Sequence, residues 1–419
     1  MIDLKFIRSS PELVRAAIRD KGEEVDLDLL LKLDREHVAL IGEVEKKRAE
    51  RNQLSSSMKG KPDQAVIAKA RTLRDEISEM ESVISQKKEE FTRLYKKVPN
   101  IPSVDTPIGL SEDDNQVVRE WGDRKKFNFK VKNHNEIALH HGWLDKERAA
   151  KVSGSRFAYL KGDLVKLQFG LINFVLDRLT DVGFIEQIVL PPYMLRTSIY
   201  DAMDRLEPTE ERYKIEGQDL WLQGSAEHVL GSMHAEEILD EINMPARYLG
   251  YATSFRSEAG AAGRDMEGII RLHQFDKLEM ESFSTSDTSH DEHLLLSAIQ
   301  ERLMQLLGIP YRKLQKCTFD IGKPNAKGSD IDAWLPGQGK YRETHTADYM
   351  TDYQARRLNT RIRRENGTLE FAHTNDATAF ACGRALVAIL ENYQNEDLSV
   401  NVPEVLQSYM GGRNILGKG

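Results

Sequence analysis

The chain has 419 residues, 40% hydrophobic and 30% charged, which supplies a sizeable core, argues against wholesale disorder and favours two or three domains. Its only cysteines, Cys317 and Cys382, exclude a disulfide-stapled scaffold and a structural zinc cluster; no apolar run approaches the roughly 18 residues that cross a bilayer, and Met1 to Phe6 lacks the apolar core of a secretory signal, so a cytoplasmic protein is expected. The net charge of −8 is uneven, because nine basic residues between positions 46 and 74 face only Glu50 and Asp63, a local +7 that leaves −15 for the remainder.

In chain order, residues 1–22 read as a short strand followed by a helix, with Ser10 as its cap, Pro11 in its first turn and Gly22 as its stop. A heptad pattern follows. Leu30, Leu33, His37, Leu40, Val44, Lys47, Arg51, Leu54 and Met58 form one seam, and Val66, Ala70, Leu73, Ile77, Met80, Ile84, Lys87, Phe91, Leu94 and Val98 form a second, more uniformly apolar one. The Ser/Gly/Pro-containing stretch from Ser55 to Asp63 reverses the chain between them, which predicts an antiparallel helical hairpin over about residues 27–98, an arm of roughly 45 Å. Lys46, Lys47, Arg48, Arg51, Lys59, Lys61, Lys69, Arg71 and Arg74 populate its outer half. Such charges commonly only solubilise a coiled coil, but Lys47 and Arg51 occupy the seam, where they weaken packing and suit a surface that grips phosphates.

Val98-Pro99-Asn100-Ile101-Pro102 ends the helix and sets a domain boundary, 1–102 against 103–419. The second part alternates strands and amphipathic helices, an α+β pattern. Within it, Tyr248–Arg256 and Ile269–Phe283 read as two antiparallel strands joined by a Gly/Ala-rich loop. Period two sets Ile270, Leu272, Leu278 and Met280 on one face and Arg271, His273, Phe275, Lys277 and Glu279 on the other, an unusually polar face that an arginine adjoins. Gly337-Gln338-Gly339-Lys340 is too short for a Walker loop, and His140-His141 point apart on a helix.

Phe255-Arg256-Ser257-Glu258 with Gly263-Arg264-Asp265 and His273-Gln274-Phe275-Asp276-Lys277 resembles the second signature motif of the bacterial-type seryl-tRNA synthetases, within the class II aminoacyl-tRNA synthetases. Gly183-Phe184 to Pro191-Pro192 resembles the first motif, which in that family helps form a dimer interface. Gly383-Arg384 to Gln394, then Val402-Pro403-Glu404, resembles the third. Val152 to Phe157 and Thr351 to Arg357 are similar to further family segments. The order of these segments behind a basic arm makes the resemblance specific, and it covers nearly the whole chain.

The resemblance implies an antiparallel-sheet catalytic domain flanked by helices. It also implies a serine–tRNA ligase that uses ATP and Mg2+ to make seryl-adenylate and then charges tRNA(Ser), with tRNA(Sec) as a second substrate where the organism has one. It implies a homodimer with no membrane or DNA partner. By position it implies Arg256, Glu279 and Arg384 as catalytic residues and Arg256, Glu258, Phe275, Glu343, Thr346 and Arg384 around ATP. Glu343 and Thr346 would hold the metal, Thr346 standing where the family has serine. Ser225, Glu227, Arg256, Glu279, Asp376 and Thr378 would surround serine. The residue chemistry suits these roles: a planar guanidinium at Arg256 can bridge the α-phosphate and a carboxylate, and hard oxygens suit Mg2+. The arm's nine Lys and Arg residues would contact the tRNA.

Departures centre on the amino-acid pocket. The family's usual His-Thr-Leu-Asn-Gly-Ser is His373-Thr374-Asn375-Asp376-Ala377-Thr378 here, and its Ser-Cys-Ser-Asn is Thr346-Ala347-Asp348-Tyr349. An alternative reading is therefore a synthetase-like paralogue that activates an amino acid for a carrier protein or a biosynthetic pathway. A non-enzymatic scaffold would be expected to have lost Arg256, Glu258, Phe275, Glu343 and Arg384, all of which are present.

Overall fold

The computed structural model describes residues 1–57, 64–181, 185, 187–259 and 267–418, which form two compact units, Met1–Ile101 and Pro102–Gly419. The first unit is helical: α1 (Leu4–Ser9), α2 (Pro11–Asp20), α3 (Leu27–Ser57) and α4 (Gln64–Tyr95). The strand expected at the N-terminus is a helix instead, because the Asp3 carboxylate accepts the Lys5 amide at 2.7 Å and caps it. Pro11 opens α2, and Gly22, at φ +67°, ends it.

The two long helices run antiparallel, as the partners of their crossing ion pairs show: Glu36 with Lys87, Lys47 with Glu76 and Glu50 with Lys69. Each described seam residue is buried or half-buried, including Lys47 and Arg51, while the positions between them are largely exposed. Lys59, Lys61 and most of the expected reversal lie outside the described residues.

The second unit is built on an eight-stranded sheet. Its strands are β1 (Gln116–Trp121), β2 (Gln187–Val189), β3 (Ala246–Phe255), β4 (Gln274–Ser284), β5 (Tyr311–Gln315), β6 (Lys327–Leu335), β7 (Lys340–Thr351) and β8 (His373–Ala381). They are ordered β1-β5-β6-β7-β8-β4-β3-β2. Every pairing is antiparallel except β2 with β3, which is parallel. Three helices, α5 (Asp163–Asp181), α6 (Ser289–Leu306) and α7 (Cys382–Asn392), contribute to one apolar core with Leu278 and Met280 of β4, Ala347 of β7 and Ala377 of β8.

Period two then dictates the opposite face: Lys277 and Glu279, Thr346 and Asp348, and Asp376 and Thr378 all point away from that core. Two bulges adjust this pattern next to the cavity. One in β7, between the Ile331–His345 and Asp332–Glu343 pairs, brings Glu343 and Thr346 to the same side although they are three residues apart. Another, after Thr378, returns Phe380 to the core and leaves Ala381 at the cavity. The expected strand from Ile269 begins only at Gln274; residues 269–273 are irregular, so Ile270 and Leu272 join Arg271 at the cavity instead of alternating with it.

Candidate active site

Above the polar face lies a cavity of about 280 Å³. Arg256, Glu258, Phe275, Glu343, Thr346, Arg384, Glu227, Asp376 and Thr378 line it. The sheet thus gathers residues that lie more than 150 positions apart in the chain. Ser225 and Glu279 sit beneath this lining, both fully buried.

Arg256 leaves the end of β3 with its backbone paired to His273, which holds the two chain segments together where the hairpin opens. Its Nε donates to the Gly224 carbonyl at 2.8 Å, and its guanidinium lies 5.4 Å from the Phe275 ring centroid. The side chain is therefore held by one edge against an aromatic face, which leaves the rest of the fork available to oxyanions. Glu258 binds Arg271 at 2.7 Å rather than Arg256, so Arg271 joins the site as a residue the sequence placed on the polar face but not among the ligand contacts.

On the opposite wall, Arg384 Nη1 donates to Glu343 Oε1 at 2.7 Å and to the Glu343 carbonyl at 2.9 Å. Desolvation in the cleft opposes ionisation of Glu343, but the charges of Arg384 and Lys316 outweigh it and bring its pKa down to about 2. Thr346 Oγ1 donates its proton to Asp330 at 2.5 Å, an arrangement that turns the hydroxyl's lone pairs outward. An ionised carboxylate and an oriented hydroxyl on one cavity wall form the donor set of a hard cation, and they fit Mg2+ better than a softer metal.

The floor is ionic. Lys277 Nζ lies 2.5 Å from Glu279 Oε2 and 3.3 Å from Glu227 Oε2, and it donates to Ser225 Oγ at 3.0 Å. Ser225 Oγ in turn donates to Glu227 Oε2 at 2.5 Å. Burial pushes the Glu279 carboxyl up, to about 8, against the pull of Lys277 and with the help of Glu227. Arg205 approaches Glu227 at 3.7 Å and Asp348 at 3.8 Å. Sequence reasoning missed Lys277 and Arg205 as site residues. The alternation of β4 could have disclosed the first, since Lys277 shares a face with Phe275 and Glu279; nothing local marks the second.

In the arm, Lys47 donates to Glu76 at 2.6 Å, Arg48 to Glu81 at 2.6 Å, and Lys69 and Arg74 pair with Glu50 and Asp75. Among the described residues Lys46, Arg51 and Arg71 make no ion pair. The local +7 is thus partly met by carboxylates of the return helix that lie outside residues 46–74.

An antiparallel sheet carrying an arginine at the end of one central strand, a second arginine on the helix after another, and a carboxylate–hydroxyl pair between them defines a class II aminoacyl-tRNA synthetase catalytic domain. Residues 211–393 match the tRNA synthetase class II core domain (G, H, P, S and T), and residues 1–102 match the seryl-tRNA synthetase N-terminal domain. The chain belongs to the seryl-tRNA synthetase family. It is 41% identical over 415 residues to a serine–tRNA ligase of Symbiobacterium thermophilum, covering 98% of each chain. It is also 40% identical to that of Pyrococcus horikoshii, covering 99% of this chain and 98% of the relative. Among solved structures, it resembles seryl-tRNA synthetase from Pyrococcus horikoshii complexed with ATP, with a TM-score of 0.93 at 39% identity and 99% of each chain covered. The cytoplasmic serine–tRNA ligase from Naegleria fowleri in complex with AMP gives a TM-score of 0.87 at 30% identity, covering 98% of this chain and 96% of that one. Among the described residues no helix is long and apolar enough to cross a membrane.

Proposed function

We propose that this chain is a serine–tRNA ligase that activates serine with ATP and Mg2+ and transfers the seryl group to tRNA(Ser). The observation that carries the reading is the convergence of Arg256, Arg384 and Glu343 on one cavity above the Lys277–Glu279 pair. ATP lies against Phe275, with Glu258 and Arg271 towards the base. Arg256 bridges the α-phosphate and the amino acid's carboxylate, so the nucleophile is aligned and the charge that develops on the phosphoryl oxygens is met by fixed donors. Arg384 neutralises the distal phosphates. Glu343 and Thr346 would hold Mg2+, which would supply further charge neutralisation for the phosphates.

Glu279 receives the serine ammonium, Ser225 and Glu227 hold Lys277 and the floor in place, and Thr378 and Asp376 bound the side-chain end. A buried polar floor disfavours alanine and glycine, which would leave its groups unpaired. The N-terminal domain, residues 1–102, binds tRNA through the arm's Lys46, Lys47, Arg48, Arg51, Lys59, Lys61, Lys69, Arg71 and Arg74, with the salt dependence that phosphate contacts impose. The protein acts as a cytoplasmic homodimer, and a serine-accepting tRNA(Sec) is a further substrate where one exists.

The test is amino-acid-dependent ATP–pyrophosphate exchange with Mg2+ across the twenty amino acids, without tRNA. A serine-only signal is expected. A signal with another amino acid alone would transfer the reading to the synthetase-like paralogue, and silence throughout would leave only a scaffold.

A further inference from the structure

The floor of the cavity gathers a cluster of carboxyl groups larger than the Glu279 assigned to the serine ammonium. Asp348, Asp376 and Glu281 stand directly opposite one another on the adjacent strands β7, β8 and β4. All are buried, Glu281 at 1% and Asp376 at 3% exposure. Ligand oxygens of Glu227, Glu279 and Asp376 lie within 4.8 Å of one another, close enough to share a single cation. Glu281 supplies an independent sign: neither of its carboxylate oxygens accepts a hydrogen bond from any described residue, although it is sealed beside this trio.

The cations within reach are committed elsewhere. Lys277 serves Glu279, Glu227 and Ser225, and Arg205 lies between Glu227 and Asp348. Among the described residues neither forms an ion pair with Glu281 or Asp376. Five carboxyl groups, Glu227, Glu279, Glu281, Asp348 and Asp376, all but Glu227 buried, therefore face Lys277 and Arg205, with Lys316 acting on Asp348 as well, an imbalance that is costly unless a positive charge enters or protons are taken up. Zwitterionic serine brings no net charge and offers one hydroxyl proton to this wall. An ammonium in the hydroxyl's place occupies similar volume and brings three donors and a full charge.

We propose that the acidic floor formed by Glu227, Glu279 and Asp376, backed by Glu281, binds a second positive charge next to the α-ammonium position. Its source is either the side-chain ammonium of a small diamino acid bound as serine would be, or an inorganic cation seated beside the amino acid. This deepens the amino-acid-activating reading above and rests on it. With the diamino acid the chemistry is unchanged: an α-carboxylate oxygen bonds to the α-phosphorus of ATP, the α–β phosphoanhydride bond breaks and pyrophosphate leaves.

The experiment measures ATP–pyrophosphate exchange by the full chain with serine and with 2,3-diaminopropionate, and counts Mn2+ bound to the nucleotide-free protein by electron paramagnetic resonance. The diamino acid is expected to support exchange with kcat/KM within tenfold of serine's, and Glu281→Gln and Asp376→Asn are each expected to lower the diamino acid-to-serine ratio at least tenfold. The ratio in the unaltered chain decides the matter even where a variant folds poorly. A diamino acid that gives no exchange, together with one tightly bound Mn2+ that persists in Glu343→Ala and is lost in Asp376→Asn, assigns the charge to an inorganic cation. Serine exchange with neither the diamino acid nor that Mn2+ overturns this inference and leaves the serine–tRNA ligase reading standing. Exchange with no amino acid overturns the reading itself, and the inference with it.

Discussion

The arm and the cavity are both dense in charge, yet their charges are held differently. In the arm, Lys47–Glu76 and Arg48–Glu81 have side chains one-third to one-half exposed, so water and salt screen them and each pair contributes little. On the cavity floor, Lys277, Glu227 and Glu279 are 10%, 13% and 1% exposed, and there the loss of one partner strands the others out of water. The lesson is that the arm can exchange its partners for a nucleic acid at low cost, whereas the floor is a fixed arrangement in which each charge specifies what else enters.

The largest test of this contrast is Arg256→Ala. Arg256 combines an anchored Nε with a free fork, so its removal is expected to lower ATP–pyrophosphate exchange on the order of 10³-fold, while tRNA affinity measured by filter binding stays within a factor of two. Exchange above a tenth of the unaltered rate would take Arg256 out of the chemistry.

Next is Lys277→Met, which leaves Glu279 and Glu227 without their shared cation. Urea unfolding is expected to show a loss of about 3–5 kcal/mol. Arg48→Met, which breaks an equally short pair in the arm, is expected to cost less than about 1 kcal/mol. Similar losses at the two sites would erase the distinction.

A third test uses pH. Burial, then the neighbouring Asp376, Glu227 and Glu279 charges, push the Glu281 carboxyl well above its ordinary range, with Arg205 opposing. The folded chain therefore holds a proton there more tightly than the unfolded chain. That contribution to stability is complete below the unfolded carboxylate pKa and is lost as pH rises through the folded one, about 1.4 kcal/mol for each unit of separation. In calorimetry without amino acid, the fall in Tm between pH 5 and pH 8 is expected to shrink by a few degrees in Glu281→Gln. An unchanged fall would mean that Glu281 stays ionised with a partner.

These two regions were also unequally legible. The arm's helices and their packed faces follow from a single repeating period, so each seam position could be read one residue at a time. The N-terminal helix was not, because the capping contact from Asp3 to the Lys5 amide outweighed a short apolar run. In the cavity, Arg256, Glu343, Phe275 and Arg384 were legible through motif resemblance, but the pairing of Glu258 with Arg271, the bulge that turns Glu343 beside Thr346, and the Asp348–Asp376–Glu281 row depend on strand register between distant segments. Register has no local signature here, since both faces of these central strands are buried and one is polar.

The smallest effects belong to the arm. Lys47 donates to Glu76 and Arg51 makes no ion pair with a carboxylate among the described residues, so the two seam cations are unequally available to a phosphate although the sequence treats them alike. Lys47→Ala with Arg51→Ala is expected to leave exchange unchanged and to make the log–log salt dependence of tRNA binding shallower by up to roughly two, near one for each phosphate no longer neutralised. Arg51→Ala alone should account for most of that change. Glu76→Gln, which frees Lys47, should steepen the slope and tighten binding at low salt, because a cation no longer neutralised within the arm is available to a phosphate. Equal slopes for all three variants would mean that the arm recognises its partner by helix shape and not by these charges.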